Sequence, residues 1–234
     1  MSRLRQRAEL ALRKASEPEA LRAALDSTIR EIDGVLETFG ALLRIAQIEA
    51  GARKAGFTRV DLTDVLETVV ELYLSFAEER GQALAVAIAP GLAVEGDREL
   101  LLQLFANLVE NAIRHSPVGA RIRLVAAGAE GGIAVTVADD GPGIPESMRE
   151  RVFQRFVRLD ASRTTPGNGL GLSLAAAVAA LHGARILLAD NAPGLAVTVW
   201  LGLAARGLAF PISPRPSPPI REESGGPRWS APKR

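Results

Sequence analysis

Cysteine is absent from the 234 residues and histidine occurs only twice. The first absence excludes disulfides, thiolate metal centres and a thiol nucleophile, and fits a reducing compartment. The second leaves too few imidazoles for a zinc cluster. Neither sign of charge dominates, because 28 Lys and Arg stand against 27 Asp and Glu for a formal net charge of +1. Composition therefore offers no nucleic-acid groove and no polybasic membrane anchor. Long apolar runs are missing too: no uncharged stretch of about 18 apolar residues occurs, and Met1 leads into a charged, helix-patterned segment instead of an apolar signal region. The chain as written is expected to be soluble, with no membrane span. What is present is a 47% hydrophobic content, ample for a buried core, in a length that allows one domain of about 150 residues plus a smaller unit.

Periodicity divides the chain. Leu21, Leu25, Ile29, Ile32, Leu36, Phe39, Leu43 and Ala46 recur at spacings of three and four, the seam of a coiled coil or helix bundle. Residues 2–15 also read as helical, with Leu4, Ala8, Ala11 and Ala15 on one stripe and a break at Ser16-Glu-Pro18. Residues 1–50 thus form an expected helical hairpin, too small to stand alone, that completes a four-helix bundle by homodimerisation. Residues 51–56 form a hinge. Residues 57–205 alternate strand and helix patterns: strands at 57–61, 83–88, 121–127, 133–138, 184–189 and 196–203, and helices from Leu62, over 98–114 and over 170–181. Their sum is an α+β fold, a two-layer α/β sandwich with a mixed sheet covered by helices on one face. Residues 206–234, rich in Pro, Gly and Ser and without a periodic apolar face, are expected to be a disordered tail.

Three segments carry chemistry. In Asn107-Leu-Val-Glu-Asn111 the two amides project from one helix face, one turn apart. Asn111 could give a carbonyl oxygen to Mg²⁺, and Asn107 could bond a phosphate or a metal-bound water. Mg²⁺ favours hard oxygen ligands and keeps several waters, so one protein ligand plus phosphate oxygens suffices; surface or capping roles are the alternative. In Asp139-Asp-Gly-Pro-Gly143 a carboxylate held at a turn could accept the exocyclic amine of adenine, or simply initiate the turn. In Gly167-Asn-Gly-Leu-Gly171 the glycines lead into a helix and permit close backbone approach to phosphates at its N-terminus. Their spacing departs from the dinucleotide pattern GxGxxG.

In this order and spacing the segments resemble the ATP-binding domain of sensor histidine kinases of two-component systems, within the GHKL superfamily shared with gyrase, Hsp90-type chaperones and mismatch-repair proteins. Asn107 to His115 resembles the family's N box, Asp139 to Gly143 its first glycine box, Val152-Phe-Gln-Arg-Phe156-Val-Arg158 its F box, and Gly167 to Gly171 its second glycine box. The likeness covers residues 57–203. Residues 21–51, ending Leu42-Leu-Arg-Ile-Ala-Gln-Ile-Glu-Ala-Gly51, resemble the second helix of the family's dimerisation domain. The resemblance implies ATP and Mg²⁺ as ligands, with Asn111 on the metal, Asp139 on adenine, and Asn107, Arg114 and His115 near the phosphates. Gly141, Gly143, Ile144, Phe156, Arg158, Gly167, Asn168, Gly169, Leu170 and Gly171 complete the expected nucleotide contacts. Residues 144–166 become a mobile lid, with Phe153 and Phe156 anchoring it by packing and Arg158 as its cation. Simple core packing of the two Phe is compatible with that role.

Where the superfamily's ATP-hydrolysing members carry a Glu as base, this chain has Asn107, and an amide cannot take a proton from water. The resemblance thus implies a phosphotransferase acting on an imidazole, with a response regulator as the next acceptor. In the family the phosphorylated His lies in a His-Glu/Asp-Leu-Arg-Thr-Pro-Leu segment just before a stretch resembling residues 2–12. Neither His115, in the nucleotide motif, nor His182, at a helix end and without an expected chemical role, fits that position. The expectation is a kinase core without its acceptor, from a fragment, a misplaced start or a natural truncation. It would bind ATP without labelling itself, and would be cytoplasmic, in a whole protein anchored in the inner or plasma membrane. A non-catalytic ATP-binding dimerisation module and a GHKL ATPase are the alternative readings.

Overall fold

The computed structural model describes residues 18–49, 57–159 and 169–202. The first hairpin helix, the hinge at 51–56, the tail at 206–234, and Gly167 and Asn168 lie outside the described residues.

The first described element is a 32-residue helix, α1 (Pro18–Glu49). Strand β1 (Thr58–Asp61) follows, then α2 (Leu62–Glu79), whose N-cap Asp61 accepts the Asp64 N–H at 3.2 Å. Next come β2 (Ala83–Ile88), β3 (Ala93–Gly96) and α3 (Arg98–His115). Helix α3 begins where the Asp97 side chain accepts the N–H groups of Glu99 and Leu100 at 3.0 and 3.1 Å, satisfying amides that have no intrahelical partner. It stops before Pro117. Strands β4 (Arg121–Ala129) and β5 (Gly132–Asp139), two short 3₁₀ turns (Glu146–Met148 and Arg151–Phe153), α4 (Gly171–Leu181), β6 (Arg185–Asp190) and β7 (Leu195–Gly202) complete it.

The main sheet has five strands in the order β2-β4-β5-β7-β6, with β2 parallel to β4 and the other pairs antiparallel. It is mixed, as the patterning predicts. Ile122, Leu124, Val135, Val137, Val197 and Val199 alternate onto one face and pack against Leu101, Leu104, Phe105 and Leu108 of α3 and Leu174 and Val178 of α4. This is an α+β sandwich. One expectation changes: the segment near 57–61 does not enter the mixed sheet but forms a separate two-stranded sheet with β3, which the patterning missed. On α1, Ile45 and Ile48 join the core of the sandwich while Leu25, Ile29, Ile32, Leu36, Phe39 and Leu43 stay exposed.

Candidate nucleotide site

A cavity of about 910 Å³ opens between α3, α4 and the ends of β5 and β7, a size within the range of about 300–1,000 Å³ usual for small-molecule sites. The core-facing stripe of α3 is wholly apolar, so the polar residues that the helix carries at four- and three-residue steps line one flank. Asn107, Asn111 and Arg114 all face the cavity there, and His115 borders it. Helix α1 adds Leu36, Thr38, Gly40 and Arg44 to the wall, and Arg44 Nη1 donates to Gln103 Oε1 of α3 at 2.6 Å.

Asp139 sits at the end of β5, 7% exposed. Its Oδ1 accepts the Gly141 N–H at 2.8 Å and the Leu195 N–H at 3.4 Å, whereas Oδ2 accepts none among the described residues. Burial pushes this carboxyl above its ordinary pKa, the two N–H bonds pull it back, and neighbouring Asp140 adds to the push. Asp139 is thus a held carboxylate on the wall of the cavity. Gly141 itself is buried and does not line the cavity; its N–H orients Asp139 instead of meeting a ligand. Gly143 does line it, at φ +70°, where a Cβ would come within 3.0 Å of Gly194 O.

At the opposite end the bonds are fewer. Among the described residues, Asn107 Nδ2, which is buried, has no hydrogen-bond partner. Leu170, at the N-cap of α4, gives no side-chain cap, and Gly169, Leu170 and Gly171 all line the cavity. A Cβ on Gly171 would rest 3.5 Å from Asn111 Nδ2, so the absent side chain keeps the helix start and the Asn111 amide open to each other. Arg114 is held by Glu110, Nη2 to Oε1 at 2.6 Å, a partner that offsets its charge. His115 is kept below its ordinary pKa, first by loss of hydration among its neighbours and then by the Arg114 and Arg158 guanidiniums. This nearby imidazole is therefore neutral at neutral pH.

Ile144 and Arg158 line the cavity, but Phe156 does not. The expected lid anchor is 59% exposed and has φ +64°, a left-handed backbone that turns its ring outward. What it supplies is a backbone bond, its N–H to Gly169 O at 3.0 Å, which ties together described residues on either side of 160–168. Phe153 is half-buried.

These residues fit a Mg-nucleotide. An unpartnered buried amide, an uncapped helix start and a hard carbonyl oxygen on Asn111 suit phosphate and Mg²⁺. Among the described residues no group of three or more His, Cys, Asp or Glu could hold a metal by itself; the nucleotide would have to bring the remaining oxygens.

Known proteins resemble this chain. A family model described as "Histidine kinase-, DNA gyrase B-, and HSP90-like ATPase" matches residues 96–205. The sensor-like histidine kinase SenX3 of Mycolicibacterium smegmatis is 32% identical over 198 residues, 84% of this chain and 51% of its own length. The structure of the mycobacterial sensor histidine kinase MprB shares 31% identity at a TM-score of 0.55, over 62% of this chain and 97% of that one. The chain belongs to the GHKL-type ATP-binding histidine-kinase catalytic domains. Full-length ShkA in complex with AMPPNP is similar over 79% of this chain and 40% of its own, with TM-score 0.67 and 26% identity. The chain spans about half the length of the SenX3 proteins it matches.

Within this histidine-kinase domain, two features escaped sequence reasoning. His182, expected only to end a helix, also joins elements: its Nδ1 donates to Val178 O at 2.8 Å, its Nε2 accepts the Asp97 N–H at 3.0 Å, and its ring stacks on Phe57 at 4.7 Å. Burial lowers its pKa, opposed by Val178 O and Asp97. The second is the turn after β6, whose Asn191 bonds the backbone of Asp139. Its Asn-Ala-Pro-Gly sequence signals a turn, but nothing local indicates its target.

Proposed function

We propose that this chain is the phosphotransferase core of a two-component sensor histidine kinase: it binds Mg-ATP and presents the γ-phosphoryl group to a histidine imidazole, from which the whole protein passes it to a response-regulator aspartate. The observation that carries the reading is the division of one cavity into a held carboxylate, Asp139, at one end and open amides, Asn107 and Asn111, beside an uncapped helix start at the other.

Asp139 Oδ2 accepts the exocyclic amino group of adenine. Asn111 offers its carbonyl oxygen to Mg²⁺, and Asn107 Nδ2 donates to a phosphate oxygen. The metal ion supplies neutralisation of phosphate charge. Gly169 to Gly171 admit the phosphates to the backbone of α4, and Arg158 and, once released from Glu110, Arg114 add positive charge. Because Asn107 is an amide, no carboxylate base stands at that position to activate water. The P–O bond to the leaving ADP breaks as the imidazole nitrogen bonds phosphorus, and catalysis consists of positioning and charge stabilisation. The exposed apolar seam of α1, from Leu25 to Leu43, is where a second copy packs.

The test is incubation of the chain with a separate dimerisation-domain fragment bearing the acceptor His, Mg²⁺ and γ-labelled ATP. Acid-labile, alkali-stable label on the fragment is expected. Steady release of phosphate without label would replace the kinase reading by hydrolysis.

A further inference from the structure

Asp139 leaves the sheet at the point where it is needed. On the β4 side it still pairs with Ile122, but the β5–β7 ladder ends one residue earlier, at Ala138 with Ala196. Its carbonyl oxygen is taken instead by a side chain: Asn191 Nδ2 donates to Asp139 O at 2.7 Å. The amide of Asn191 is itself oriented, because its Oδ1 accepts Arg123 Nη2 at 2.6 Å. Turned the other way, it would set an NH₂ against a guanidinium and an oxygen against a carbonyl. The Asn191 N–H closes the turn onto Gly194 O at 3.1 Å, and the residue after that turn, Leu195, gives its N–H to Asp139 Oδ1. Gly194 lies so close that a Cβ there would come 1.7 Å from Asp139 O. The far side of the turn is fixed as well, since Arg149 pairs with Asp190 and donates Nε to Ile144 O at 3.3 Å.

We propose that Asn191, oriented by Arg123, is a positioning residue for base recognition: it fixes the backbone of Asp139 so that the carboxylate meets the 6-amino group of adenine. This rests on the reading of Asp139 as the adenine acceptor. The turn touches Asp139 at carbonyl and carboxylate together, so release of the carbonyl lets the carboxylate rotate away from the amine. The Mg-triphosphate end of the cavity, on α3 and α4, is left as it was.

The readout is selectivity, not affinity alone. Binding of Mg-ATP is compared with that of the Mg-triphosphate of purine riboside, which carries hydrogen in place of the 6-amino group. Asn191→Ala, and Asn191→Asp, which keeps an acceptor for Arg123 but loses the donor to Asp139, should each lower the preference for ATP about tenfold while the purine analogue binds as before. Arg123→Gln should move the preference in the same direction by a smaller factor, and serves if the Asn191 variants do not fold. Equal weakening of both nucleotides would reduce Asn191 to a structural residue and overturn the proposal. Asp139→Ala separates the two levels. If it leaves the ATP preference intact, the adenine reading itself fails; if it abolishes the preference while the Asn191 and Arg123 variants retain it, only the positioning role fails.

Discussion

The two ends of the cavity are built on opposite principles. At the Asp139 end the carboxylate is buried and held by N–H groups from Gly141 and Leu195, with a side-chain bond from Asn191 to its backbone. At the Asn107 end, among the described residues, a buried amide has no partner and a helix starts without a side-chain cap. A buried polar atom without a partner costs about 1–3 kcal/mol, so that end is completed only by what enters it. On the proposed reading, recognition of the base is prearranged, whereas the charge of the triphosphate and its metal ion is met by groups kept open for it.

The sharpest way to break the contrast is to wreck the prearranged end. Gly194→Ala puts a Cβ against Asp139 O at a position with φ +110° and should cost about 3 kcal/mol of stability, read by urea unfolding; a loss under about 0.5 kcal/mol would mean that the turn does not grip Asp139. At the open end, Asn111→Ala should weaken Mg-ATP about thirtyfold, the equivalent of about 2 kcal/mol, with no change in unfolding midpoint. Calorimetric titration checks both halves of that statement.

Titration behaviour sharpens it further. Asp139 has a raised pKa in the fold, so the fold favours its neutral form: that contribution is complete below the unfolded-chain pKa and is lost as pH rises through the folded one. Asp139→Asn should therefore unfold at a higher temperature than the parent near neutral pH, lose that advantage in acid, and bind ATP poorly. His115 has the opposite sign. Its lowered pKa gives stability present above the unfolded-chain pKa and lost as pH falls through the folded one. Entry of a polyanion opposes that shift, so ATP binding should take up protons and tighten as pH falls toward the lowered His115 pKa. Titrations in buffers of different ionisation enthalpy measure the uptake, and His115→Gln should remove it.

How far sequence foretold this depends on the range of the interactions. Helix α3 was legible because its signal is local, apolar residues recurring on one stripe at helical spacing. The hairpin of β4 and β5 was legible for the same reason, with Glu130 and Gly131 at its tip. Strand β3 was not, since four residues beside Gly91 carry little alternation and owe their form to pairing with β1. Phe156 misled because hydrophobicity says nothing of a left-handed φ that turns the ring outward. Asn191 was invisible: its partners Arg123 and Asp139 are 68 and 52 residues away in sequence. The motifs name the groups that the proposed reading brings to a nucleotide; what holds them lies elsewhere in the chain.

The most direct test of the two-ended site is calorimetric titration of adenosine and of ATP, each with Mg²⁺ and with EDTA. Removal of Mg²⁺ should weaken ATP at least tenfold and leave adenosine unchanged, because the base end is complete without the metal. Equal loss for both ligands, or ATP binding indifferent to Mg²⁺, would contradict the division of labour between Asp139 and the two asparagines.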